Sequence, residues 1–263
     1  MLQRKNAFVS ALLCILTALS TGRPAAAASR PTCRYPVEAV EIPGLPPVQQ
    51  IALTFDDGPN PDTTPHVLDI LKKYGIKATF FLIGENIIGN EDLVRRELRE
   101  GHNIGNHTYT HPHLGEISDR SMKQEFLKTD RLLAQFPKKR ARVARFPFGE
   151  STCHAERFAE SLHYNIVGWQ IDSCDWSYQE GLEKSDCIPG PALQNRFGPS
   201  FSGWIDYQLA REKGGVILMH DAEQYEADHL EKEIQHLLSE GYTFVELDRG
   251  VFPQLIHDHK ILK

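Results

Sequence analysis

Short apolar runs and amphipathic helical patterns take turns along the chain from Ile51 onward, and that alternation narrows what it can fold into. Ile51–Phe55 reads as a buried strand. Pro65 then stands at a helix start behind Asp62 and two threonines, and Val67, Leu68, Leu71 and Tyr74 share one helical face until Gly75 stops it. Further strands are expected at Ala78–Ile83, Asn103–Asn106, Val143–Phe146, Asn165–Ile171, Gly215–Met219 and Thr243–Leu247. Helical patterns lie between them at Asp92–Glu100, from Ser118 through Phe136, at His154–Leu162 and around Leu230–Leu238. About seven alternations over roughly 200 residues, with no linker, predict one α/β domain on a parallel sheet, either a barrel or an open doubly wound sheet. Ser177–Gly203 breaks the rhythm and is expected to be a long surface loop of functional size.

The chain has 263 residues, 41% of them hydrophobic, enough for one sizeable core. A formal net charge of -6 argues against a nucleic-acid partner. Residues 1–28 have the layout of a secretory signal peptide: Arg4 and Lys5, an apolar core from Ala7 to Leu19, then small residues from Ala25 to Ala28. An exported protein, periplasmic or secreted, is expected, with no stable membrane insertion once that segment is cleaved. Residues 29–49 read as an irregular arm and 50–263 as the main domain. Cys33, Cys153, Cys174 and Cys187 remain after cleavage and suggest one or two disulfides, with Cys187 tying the long loop to Cys174 or Cys153.

In a barrel of parallel strands, functional groups gather at the C-terminal strand ends. The first strand ends in Asp56-Asp57 and a Gly-Pro break, two like charges whose closeness is costly unless a cation or strong donors compensate. The third runs into His107 and His111, between Gly105 and Pro112. The fourth ends in Arg145, followed by Pro147, Phe148 and Gly149. The fifth is followed by Asp172, Asp175 and Trp176, and the sixth closes with Leu218, His220 and Asp221. Two imidazoles and a carboxylate make a three-ligand set with an open position, the pattern of a catalytic zinc site. Asp57 suits the oxygen ligand, which frees Asp56 to deprotonate water. Arg145 suits a bidentate hold on that base, the Phe148 turn an oxyanion donor, and His220, raised by Asp175, a proton donor. Asp221 reads as a helix N-cap.

These stretches, in this order, resemble the polysaccharide deacetylase family, carbohydrate esterase family four, from about Ile51 to Leu247. Thr54-Phe55-Asp56-Asp57-Gly58-Pro59 matches its first motif and His107-Thr108-Tyr109-Thr110-His111 its second. The third departs from Arg-Pro-Pro-aromatic-Gly in that Phe146 replaces the first proline, which bears on the wall of the substrate cleft. Asp175-Trp176 and Leu218-Met219-His220 match the fourth and fifth.

The resemblance implies a distorted (β/α) barrel of about seven strands. It implies Asp56 as general base, Asp57, His107 and His111 as ligands of one divalent metal, and His220 as general acid tuned by Asp175. Arg145 would orient the base, the Phe148 N–H would receive an oxyanion, and Trp176, Leu218 and Pro147 would contact the glycan. Zinc suits the ligands, with Co2+, Ni2+ or Mn2+ able to replace it. The expected reaction is hydrolysis of N-acetyl groups on N-acetylglucosamine residues of chitin oligosaccharides or peptidoglycan, by a monomer. Alternatives are O-deacetylation of acetylated xylan and a non-catalytic glycan-binding protein.

Overall fold

The computed structural model describes residues 49–137, 142–150, 152–178, 187–197 and 200–247. The expected signal segment, residues 1–28, lies outside the described residues, as do Cys33 and all of the 29–49 arm but its last residue. Among the described residues eight strands form one sheet: β1 Gln50–Asp56, β2 Thr79–Leu82, β3 Asn103–Asn106, β4 Val143–Ala144, β5 Asn165–Ile166, β6 Ile171–Asp172, β7 Gly215–His220 and β8 Thr243–Phe244. The order is β5-β4-β3-β2-β1-β7-β6, with β8 beside the start of β1, and every pairing is parallel.

The two ends of that path, β5 and β6, are consecutive in the chain and separated only by Val167–Gln170. A sheet whose opposite edges are joined by so short a link has to curl round on itself, and this one is a distorted (β/α) barrel. The expected single strand over Asn165–Ile171 is therefore two short strands. Between them the carbonyls of Val167 and Gly168 accept from the Arg145 guanidinium, so no neighbouring strand pairs with them.

Alternation along the strands sets which side chains enter the barrel. On β1, Ile51, Leu53 and Phe55 join the large core beneath the helices, whereas Ala52 packs inside with Phe81, Val143 and Val216. Thr54 and Asp56 share the parity of Ala52, as do Leu218 and His220 that of Val216. Register pairs Asp56 with His220 across β1 and β7, so both stand at the same rim.

The helices follow as α1 Thr64–Tyr74, α2 Gly84–Ile87, α3 Glu91–Arg99, α4 Asp119–Leu133, α5 Cys153–Ser161, α6 Pro191–Phe197, α7 Phe201–Glu212 and α8 Gln224–Ser239. The region read as a loop over Ser177–Gly203 contains α6 and the start of α7. Phe201, Trp204, Ile205 and Leu209 keep helical spacing and bury one face of α7, and the Ser200 hydroxyl caps it by accepting from the Gly203 N–H. Gly203 in the first turn disguised that helix. Cys187 is bonded to Cys174, one of the two expected partners.

Candidate active site

The strand-end residues converge on a cleft of about 390 Å³ lined by Asp56, Asp57, His107, His111, Phe148 and His220, with Phe146, Gly149, Trp169, Asp172, Trp176 and Leu218 completing the wall. Arg145 and Asp175 stand behind it, fully buried. Pro147 is not among the lining residues: it is buried at the start of a one-turn 3-10 segment, and Phe146 faces the cleft instead.

Asp56 is held from inside the barrel. Arg145 donates from Nη1 to Asp56 Oδ1 at 2.8 Å and to Thr54 Oγ1 at 2.9 Å, while Nε and Nη2 reach the carbonyls of Val167 and Gly168. With its N–H groups so occupied, the guanidinium pairs a buried carboxylate without leaving its own donors unmet.

Asp57 sits in the left-handed backbone region, φ 72°. His111, Phe148, Thr108 and Cys174 also have positive φ, so strained non-glycine residues concentrate around the cleft, where strain is retained for function. Asp57 Oδ1 lies 3.4 Å from His107 Nε2 and 3.5 Å from His111 Nε2. These three atoms could hold a metal ion. The donor set fits a divalent cation on independent grounds, since Asp57 Oδ1 is buried without a hydrogen-bond partner. His107 donates from Nδ1 to the Arg145 carbonyl at 2.8 Å, so Nε2 faces the carboxylates; burial opposes its charge, but Asp56 and Asp57 raise this imidazole while no ion is bound. Burial, with the nearby His107 charge, pulls His111 down to about 4, so it is neutral and ready to ligate. Burial opposes ionisation of Asp57, but the contact with His107 and the charges of His107 and His220 outweigh it and hold this carboxyl well below the usual range.

The loop bearing both histidines is moored to α4, a feature the sequence reading missed. Glu125 Oε2 accepts from the N–H groups of Tyr109 and Thr110, and the Thr129 hydroxyl donates to the Thr108 carbonyl. Glu125 and Thr129 flank the buried Phe126 in sequence and on the helix surface, and that proximity was the available signal.

On the opposite wall, His220 Nδ1 contacts Asp175 Oδ1 at 2.7 Å, and Asp175 also accepts from the His220 and Trp176 N–H groups. Burial disfavours the imidazolium, but Asp175, helped by Asp57 and Asp56, raises His220 to about 10. Asp221 departs from its expected role. Its carboxylate accepts from the Thr64 hydroxyl and its carbonyl from the Thr63 hydroxyl, so it anchors the start of α1; the N-cap position of α8 belongs to Glu223. It also presses on Gly58, where a Cβ would lie 2.4 Å from its carboxylate oxygens.

Phe148, 52% exposed, packs edge-on against His111 and face-on against His113, which contacts Glu150 at 3.0 Å. Trp169, unnoticed in the sequence, is in the wall beside Gly149, where any Cβ would strike its ring.

The chain is similar to known proteins in sequence and in fold. A family profile described as polysaccharide deacetylase matches residues 45–167. The chain is 33% identical over 219 residues to a peptidoglycan-N-acetylglucosamine deacetylase of Listeria monocytogenes, covering 82% of this chain and 42% of that protein. It is 32% identical over 173 residues to a chitooligosaccharide deacetylase of Sinorhizobium fredii, covering 65% of this chain and 71% of the other. The chain belongs to the polysaccharide deacetylase family. It spans less than half the length of the Listeria relative. A crystal structure of a peptidoglycan N-acetylglucosamine deacetylase, in complex with a naphthyl-substituted N-hydroxybenzamide, superposes with a TM-score of 0.62 at 32% identity. It covers 76% of this chain and 87% of that one. The profile ends before Asp175 and His220.

Proposed function

We propose that this chain is a metal-dependent deacetylase that hydrolyses N-acetyl groups on N-acetylglucosamine residues of a glycan, chitin oligosaccharide or peptidoglycan, releasing acetate. The observation that carries this reading is the pairing of Asp56 and His220 on adjacent strand positions, one held by a cation and the other by an anion, on either side of Asp57, His107 and His111.

Asp57, His107 and His111 would hold the ion, with zinc the best match to two imidazoles and one carboxylate. When bound, it supplies the positive charge that polarises the acetamide carbonyl and acidifies water. Asp56, held by the Arg145 guanidinium, removes the proton from the attacking water. The Phe148 N–H receives the developing oxyanion. His220, kept charged by Asp175, delivers its proton to the departing sugar amine, so that the products are acetate and a free amine. Trp176, 47% exposed at the cleft, offers a ring face to a sugar, and Leu218 provides apolar floor. The N-terminal pattern supports an exported enzyme, and no helix among the described residues is long and apolar enough to cross a membrane.

Acetate release from N-acetylglucosamine oligomers, purified peptidoglycan and acetylated xylan tests the proposal. Release from a glycan bearing N-acetylglucosamine, abolished by chelator and restored by zinc, is the expected result. Release from xylan alone would move the assignment to an ester, and no release from any substrate with metal demonstrably bound would overturn it.

A further inference from the structure

The cleft does not use every buried acid near it. Glu226, in the first turn of α8, is fully buried, and neither of its carboxyl oxygens has a hydrogen-bond donor among the described residues. The first turn of α8 packs on the Asp175–Ser177 turn, with Tyr225 stacked on Tyr178, and sets the Glu226 carboxyl beside that of Asp175, the partner of His220. Two acceptor-only carboxylates cannot share a buried contact, and one of them has to carry a proton. Asp175 receives the His220 N–H, the His220 ring and the Trp176 N–H, while Glu226 receives nothing. The proton therefore resides on Glu226.

The geometry points to Glu226 as a positioning residue of the acid wall: a neutral carboxyl that donates its hydrogen to Asp175 and fixes that carboxylate against the His220 ring. This role deepens the proposed deacetylase reading and rests on it for its effect on rate. Burial, then the charges of Asp175 and Glu233, push the Glu226 carboxyl well above its ordinary range, and only the His220 charge opposes them. The row His220, Asp175, Glu226 alternates donor and acceptor, so each group is oriented by the next. Nothing in the motif pattern marks Glu226, because the contact joins a helix turn to a loop turn some fifty residues earlier in the chain.

Glu226→Gln and Glu226→Leu separate the outcomes. The glutamine amide is a permanent donor of nearly the same shape, whereas leucine removes the donor. Glu226→Leu is expected to lower kcat about tenfold with KM unchanged, and Glu226→Gln to recover most of that loss. An infrared difference spectrum at neutral pH, wild type minus Glu226→Gln, is expected to show the carbonyl band of a protonated carboxylic acid. Loss of a carboxylate band in its place would overturn the inference, because Glu226 would then be ionised. So would a Glu226→Leu protein that keeps its kcat. The spectrum does not depend on turnover, so failure of the deacetylase reading leaves this test intact. If Glu226→Leu does not fold, the isosteric glutamine variant and its spectrum still decide.

Discussion

Under the proposed mechanism, the two walls of the cleft that handle protons solve the same problem from different materials. Asp56 belongs to β1, the strand paired along its whole length with β7, and its partner Arg145 is threaded through the barrel, touching strand, link and side chain at once. His220 also stands on a strand, but Asp175 comes from a one-turn segment outside the sheet. That segment is tied by the Cys174–Cys187 disulfide and backed by α8. A base must stay ionised and an acid protonated at the same pH, so one needs a cation behind it and the other an anion. The cation is provided by the sheet itself. The anion is brought in by a loop, and has to be secured by other means.

The comparison is broken most severely at the base. Asp56→Asn should lower kcat about 10²–10⁴-fold, with metal still bound in a competitive chelation assay because the three ligands are untouched. An active variant would remove Asp56 from the mechanism. Arg145→Met should follow, as it leaves a buried carboxylate without its charge partner. Urea unfolding should register a loss of about 3–5 kcal/mol.

Smaller effects sharpen the contrast on the acid wall. Replacing Cys174 and Cys187 together by serine should cost about 3 kcal/mol of unfolding free energy by freeing a loop of that length. Metal affinity should stay unchanged, since no ligand lies on that segment, while kcat falls. A change in metal affinity would show that the two walls are not independent. A further signal is in pH. His220 is raised from 6.5 to about 10 in the folded protein, so its contribution to stability is complete below about pH 6.5 and disappears as pH rises through about 10. The stability difference between metal-free wild type and His220→Asn should shrink over that interval. A difference independent of pH would place the charge elsewhere.

Much of this was legible in the chain. Strands with unbroken apolar runs, such as β1, β2 and β7, were read close to their observed bounds, and β1 and β7 end in titratable residues now found in the cleft. Reading failed where long-range hydrogen bonding overrode local pattern. The run Asn165–Ile171 looks like one strand, yet Arg145 takes the Val167 and Gly168 carbonyls and splits it. Helix α7 hid behind Gly203, and Trp169 gave no sign of its place beside Gly149.

Local order therefore determined which elements form, which residues stand at their C-terminal ends, and hence the family and the candidate site residues, because strand parity and turn chemistry act over a few residues. Only the tertiary structure decided what stands behind those groups. Glu125 under the histidine loop, Trp169 in the wall, Asp221 turned toward α1 and Glu226 against Asp175 all act across distances that periodicity does not encode. Their positions follow from how the sheet curls and which buried polar group has to find a partner there.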